Sequence, residues 1–227
     1  MKHLATACLL ATLALFPIAA QADWTENFDS YALGSGLHGQ GGWEGWQGDP
    51  QWNAYVSNVQ ARSMPHSVEI TGNSDIVHPY TGYTAGRWVY TAWQYIPASF
   101  VGTTYFILLN TYSAGQNWSI QVSFANGMVT NDGVSGGTLP VAFDRWVEIQ
   151  VVIDLDADTQ TFYYDGQMLY MGTWTNEVST GGALNIGAVD LYANGASPVY
   201  YDDMSLLPEG AVPNAESSWG SVKGLFR

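Results

Sequence analysis

Trp118-Ser119-Ile120-Gln121-Val122-Ser123-Phe124, then Asn126-Gly127, then Met128-Val129-Thr130, sets the architecture of this chain. A period of two places Trp118, Ile120, Val122 and Phe124 on one face and Ser119, Gln121 and Ser123 on the other, which is the pattern of a half-buried strand. Asn-Gly is a strong hairpin signal because both positions tolerate positive φ. The same grammar continues on both sides. Val147, Ile149, Val151 and Ile153 share a face, a turn follows at residues 156–159, a strand returns at 160–164, and Asp165-Gly166 turns into another at 167–173. Further strands are expected at residues 67–70, 87–96, 104–111, 183–193 and 199–206. No internal stretch carries a helical period. About a dozen short strands at this spacing predict an all-β fold, a jelly-roll β-sandwich of two curved antiparallel sheets.

Composition narrows the function. Of 227 residues 47 % are hydrophobic, so the chain folds, while only 11 % are charged. Its polar surface must come from Ser, Thr, Asn, Gln, Tyr and Gly. Six basic against twenty acidic residues give a net charge of −14. That excludes a nucleic-acid partner, whose phosphates need Lys and Arg, and disfavours anionic lipid.

Three segments organise the chain. Lys2 and His3, the apolar run from Leu4 to Ala20, and Ala20-Gln21-Ala22 read as a secretory signal peptide over residues 1–22. The run falls short of the ~20 residues that span a bilayer, and no later run is long enough. Cleavage removes Cys8, the single cysteine, so the mature chain is exported without disulfides. It is expected to be secreted or at the cell surface, with the periplasm as the other exported destination. Residues 23–207 form the sandwich domain. Residues 208–227 read as a linker and short tail, with Trp219, Val222, Leu225 and Phe226 at helical spacing behind Ser218.

Several strings point to a family. Glu26-Asn27-Phe28-Asp29-Ser30-Tyr31 with Gly39-Gln40-Gly41-Gly42-Trp43, the hairpin from Arg145-Trp146 to Tyr164-Asp165-Gly166, and Val199-Tyr200-Tyr201-Asp202-Asp203-Met204-Ser205-Leu206 resemble the concanavalin A-like (laminin-G-like) jelly-roll domains of exported bacterial proteins. The tail from Ser217 to Arg227 resembles a short C-terminal segment of exported bacterial proteins. The resemblance implies a structural Ca²⁺ held by a carboxylate near the first strand and an Asp on the closing strand. Glu26, Asp29, Asp202 and Asp203 match those positions, and calcium needs about six to eight oxygens. On a regular strand Asp202 and Asp203 point to opposite faces, so only one faces inward.

Other constellations are weaker. Asp154, Asp156, Asp158 and Asp165 mimic a calcium-loop spacing, but Thr159 replaces the sharp-turn glycine, and Asp is what a hairpin turn needs anyway. The E-x-D-x-x-E string of laminarinase-type hydrolases is absent, leaving Glu69 and Glu148 as isolated carboxylates. The strings of alginate lyases on this fold are absent too, and an acidic protein suits an acidic polymer badly. Aromatic rings remain, which stack on sugar faces while amides and hydroxyls bond the hydroxyl groups. Trp43, Trp46, Trp52, Trp93 and Tyr95, with Ser119 and Gln121, are the candidate ligand-binding residues. The expected function is an exported noncatalytic module, stabilised by calcium, that binds a neutral polysaccharide or cell-surface glycan. The alternatives are a glycan-cleaving hydrolase or lyase on the same fold, and a structural matrix protein.

Overall fold

The structure is a computed structural model that describes residues 23–113 and 115–211. The expected signal peptide, 1–22, and residues 212–227 of the expected tail lie outside the described residues. Fifteen strands account for the regular structure: β1 (Trp24–Glu26), β2 (Glu44–Gly45), β3 (Tyr55–Ser57), β4 (Ser67–Gly72), β5 (Asp75–Pro79), β6 (Arg87–Tyr95), β7 (Thr103–Thr111), β8 (Asn117–Ala125), β9 (Met128–Asn131), β10 (Thr138–Pro140), β11 (Trp146–Asp154), β12 (Thr159–Tyr164), β13 (Gln167–Gly172), β14 (Ala188–Asn194) and β15 (Ala196–Pro208). Two short 3₁₀ turns, Trp46–Gly48 and Pro50–Trp52, are the helical elements among the described residues. No helix there is long and apolar enough to cross a membrane.

The strands pair antiparallel in two sheets. One has the order β13-β12-β11-β6-β15-β4-β3, with β1 also on β15; the other has the order β10-β9-β8-β7-β14-β5-β2. The expected all-β sandwich is therefore the observed one. Its core lies between the sheets and comes from alternation. Trp88, Tyr90 and Ala92 of β6 and Val147, Ile149, Val151 and Ile153 of β11 meet Phe106 and Leu108 of β7, Ile120, Val122 and Phe124 of β8, and Val189 and Leu191 of β14. Burying each large side chain contributes roughly 1.5–3 kcal/mol, offset by the chain entropy lost on ordering.

Two strands depart from regular alternation, and each departure re-aims functional side chains. In β8 the register against β7 shifts between Leu108 and Leu109, so that Ile120 opposes Leu108 while Trp118 opposes Leu109. Ser119 is the extra residue, fully buried and hydrogen-bonded by Asn110 Nδ2 at 2.9 Å. The bulge turns Trp118 to the outer face of its sheet, where it packs beside Ile107 and Leu109. The alternation that groups Trp118 with Ile120, Val122 and Phe124 fails at this one residue.

In β15 the register breaks between Asp202 and Ser205, and Asp203 has φ +44°. Before the break β15 pairs with β4, and after it with β1. Because of the bulge both carboxylates reach Ser63: its Oγ donates to Asp203 Oδ1 at 2.8 Å and to Asp202 Oδ1 at 3.4 Å. The two side chains therefore share one partner, with Asp202 fully buried and Asp203 partly exposed beside Arg62.

Candidate functional site

A cleft opens on the outer face of the seven-stranded sheet. Pairing partners on neighbouring strands share a face, so the register gives its floor directly. One row across the sheet reads Glu44, Val77, Asp190, Ile107, Gln121. The next reads Asp75, Tyr192, Tyr105, Ser123. Apolar Val77, Ile107, Leu109 and Ala188 make the floor, and polar groups punctuate it.

Aromatic rings form the walls. Trp46 stacks with Trp118 at 6.1 Å and 25° between planes, and Tyr112 lies 5.5 Å from Trp46. On the other side Tyr105 stacks with Tyr192 at 5.5 Å and 17°. Local backbone aims Trp46. The chain passes so close at Gly45 that a Cβ there would lie 2.1 Å from Asp49 O. Gln47 N then donates to Tyr112 Oη at 2.9 Å, and Tyr112 Oη donates to Glu44 Oε1 at 2.9 Å. Trp46, Trp118, Tyr192, Gln121 and the two aspartates enclose a cavity of about 200 Å³. A second, of about 410 Å³, lies against Glu44, Gln47, Tyr112 and Gln116. Among the described residues no Arg, Lys or His lines either one.

The electrostatics centre on Asp75 and Asp190, diagonal neighbours on β5 and β14. Asp190 is 3 % exposed. Its carboxyl is pushed well above the usual carboxylate range, first by burial, then by the charge of Asp75 and a hydrogen bond to it. Burial likewise pushes Asp75 up to about 6, while its bond to Asp190 pulls the other way. Two carboxyl groups held this close share a proton more readily than either would keep one alone, and both are raised by burial. Each also keeps a buried Oδ1 with no hydrogen-bond partner.

The expected ligand-binding residues divide among several places. Trp46 and Gln121 stand in the cleft. Trp43 lies in the core at 1 % exposure, packed on Trp24, Phe28 and His78, so its ring face is not open to a ligand. Ser119 is buried at the bulge. Trp52 is half-buried in the second 3₁₀ turn. Trp93 and Tyr95 point from β6 to the outer face of the other sheet. There the Arg62 guanidinium covers the Trp93 ring at 3.7 Å, and Tyr95 meets Trp146 and Tyr200 edge-on. Sequence reasoning passes over Asp75, Tyr105, Tyr112, Trp118, Asp190 and Tyr192.

The residues expected to hold calcium each accept hydrogen bonds from protein donors. Glu26 accepts from Phe28 N, Tyr31 Oη and Trp43 Nε1. Asp29 accepts from His66 N at 3.0 Å. Asp202 accepts from Arg62 N at 2.7 Å and Ser63 N at 3.0 Å, and Asp203 pairs with the Arg62 guanidinium. Three of the four carboxylates thus hold residues 62–66 by N–H and O–H donors. Among the described residues no three His, Cys, Asp or Glu side chains gather as metal ligands.

No family model matches the chain, and no curated protein sequence does. Solved structures do. A sialidase aligns at TM-score 0.60 and 7 % identity over 83 % of this chain, which spans only 19 % of that protein. The endo-beta-1,4-glucuronan lyase of the fungus Trichoderma reesei aligns at TM-score 0.53 and 11 % identity, covering 82 % of this chain and 94 % of the lyase. The alginate lyase Aly36B aligns at 0.52 and 12 %, covering 84 % and 98 %. Identities this low establish a shared β-sandwich fold.

Proposed function

We propose that this chain is an exported, noncatalytic module that binds a neutral polysaccharide along the outer face of the seven-stranded sheet. The observation that carries the reading is the cleft itself, with stacked rings on both sides of a mostly apolar floor and hydrogen-bonding groups at intervals along it. Aromatic walls suit the apolar faces of pyranose and furanose rings, and Gln121, Gln47 and the carboxyl groups suit their hydroxyls. The fold is shared with a sialidase, a glucuronan lyase and an alginate lyase, which adds support by analogy only. Lyase chemistry on a uronate needs its carboxylate neutralised beside a base. Gln47, Gln116 and Gln121 are amides in the lining, but Asp75, Asp190 and Glu44 set acids against such a substrate, which favours a neutral one. Export rests on residues 1–22.

The test is affinity electrophoresis against neutral polymers (β-1,3-glucan, xyloglucan, arabinan, galactomannan) and against alginate and polygalacturonate, with polymer length measured afterwards. Retardation by a neutral polymer of unchanged length is the expected result. Trp118→Ala should weaken that binding by about 2 kcal/mol or more. Trp43→Ala should instead cost about 3–5 kcal/mol of folding stability, since it empties a core position. Shortened chains, or retardation by the polyuronates alone, would overturn the reading.

A further inference from the structure

We infer that Asp75 and Asp190 form the polar centre of the sugar subsite, a carboxyl–carboxylate pair that holds one proton and grips the hydroxyls of an uncharged sugar seated between the ring walls. The inference rests on the glycan reading above and names the chemistry that would select the ligand. Its first support is an exception to how this chain treats acids. Asp202, Asp158 and Asp154 all accept backbone N–H groups. Asp75 and Asp190 each bury an Oδ1 that accepts nothing. Leaving a buried acceptor unmade costs roughly 1–3 kcal/mol. A proton shared between the two carboxyls meets part of that cost, and both residues line the cavity beside Trp46 and Trp118.

The second support is placement. Asp190 is nine-tenths buried and lines the cavity between Trp46, Trp118 and Tyr192. A ring stacked on either aromatic pair brings its hydroxyls over the floor at this point. There a carboxylate accepts from one hydroxyl, and a carboxylic acid or its partner satisfies the next. A sugar carboxylate would be repelled by the ionised member of the pair, with no Arg, Lys or His among the described residues of the lining to neutralise it. The ligand class is therefore a neutral polyol with adjacent hydroxyls.

The groups facing the pair reinforce the proton's retention. Glu44 on β2 is held by Tyr112, and Asp132 beyond β9 accepts from Gln121 and Ser123. Tyr192 on β14, Tyr105 on β7 and Tyr112 after it are raised by burial and neighbouring acids, so they stay neutral and offset no charge. Loss of the shared proton at alkaline pH would leave two uncompensated charges and remove the donor.

The experiment combines carboxyl ¹³C NMR titration of Asp-labelled protein with calorimetric binding of neutral hexasaccharides (cello-, laminari-, xylo-, arabino- and mannohexaose) and of a glucuronate hexamer. The expected result is that one of the two carboxyls remains protonated at pH 7, and that a neutral hexasaccharide shifts both Asp75 and Asp190 signals and binds more weakly as the proton is lost. Asp190→Asn, which removes one titrating member of the pair, should flatten the pH profile of binding. Asp75→Ala should lose about tenfold or more, the worth of one charged hydrogen bond. Melting temperatures separate misfolding from lost contacts. A wild type that binds a neutral sugar no better than Asp75→Ala does, with an unchanged pH profile, overturns the inference and leaves the cleft reading standing. Carboxyls that both ionise near pH 4, or sugar binding that appears only with added Ca²⁺, overturn it too. A wild type that binds none of the sugars overturns the glycan reading itself.

Discussion

Asp190 sits where a strand interior normally carries Val or Ile, with Val189 and Leu191 buried on either side of it. Keeping a carboxyl there has a consequence for stability that does not depend on any ligand. Both members of the pair have folded-state values raised above the usual carboxylate range, so the folded chain binds a proton more tightly than the unfolded one. Stability from this source is complete below about pH 4. It is lost as pH rises through the value of about 6 at Asp75 and the higher value at Asp190. Asp202, pushed up to about 7 by burial first and by the Asp203 charge second, acts with the same sign. Melting temperature should therefore fall between pH 5 and pH 8, by roughly 2–4 °C for each kcal/mol lost. Asp190→Asn should fall less steeply than wild type across that range, which scanning calorimetry at fixed ionic strength would check. Parallel slopes would mean the pair is ionised throughout.

At the scale of elements, long alternating strands declare themselves and short or bulged ones do not. The stretch expected over residues 87–96 is β6, Arg87–Tyr95, and that expected over 104–111 is β7, Thr103–Thr111. β5 is not legible, because Asp75-Ile76-Val77-His78-Pro79 offers only two aliphatic residues before a proline, and its strand character comes from pairing with β14. Without β5, Asp75 cannot be set beside Asp190. The lone acid inside Ala188-Val189-Asp190-Leu191 is the one available signal, since an Asp in an apolar strand asks for a reason. The face of Trp118 depends on the Ser119 bulge, which is held by Asn110 from another strand and has no local signature. Asp29 and Asp202 accept backbone N–H groups of residues 62–66, while Asp203 takes Ser63 Oγ and the Arg62 guanidinium. Asp202→Ala should consequently release residues 62–66, cost about 1–3 kcal/mol, and deprotect the Arg62 and Ser63 amides in hydrogen exchange. Melting curves with EDTA and with added Ca²⁺ test the calcium expectation: a melting temperature lowered by EDTA and restored by Ca²⁺ bears it out, and one that moves with neither overturns it.

Over the whole molecule, a net charge of −14 surrounds a cleft whose own ionisable groups are acids. A neutral polymer feels that field weakly, whereas a polyuronate is repelled over the Debye length, about 10 Å at 0.1 M salt. Affinity for a neutral polymer should hold steady between about 0.05 and 0.5 M NaCl, and alginate should stay unretarded at the lower salt. Retardation of alginate that weakens as salt rises would instead reveal a basic surface. The molecule's connectivity carries a separate implication. Trp24 of β1 lies opposite Leu206 of β15, so the first strand and the last are neighbours in one ladder. Considered as a drawing, the sandwich is a closed ring of strands that the polypeptide happens to enter and leave at one seam. A short bridge across that seam, with the ring opened instead at the exposed turn of Asp156 and Ala157, would keep every ladder and leave the cleft untouched.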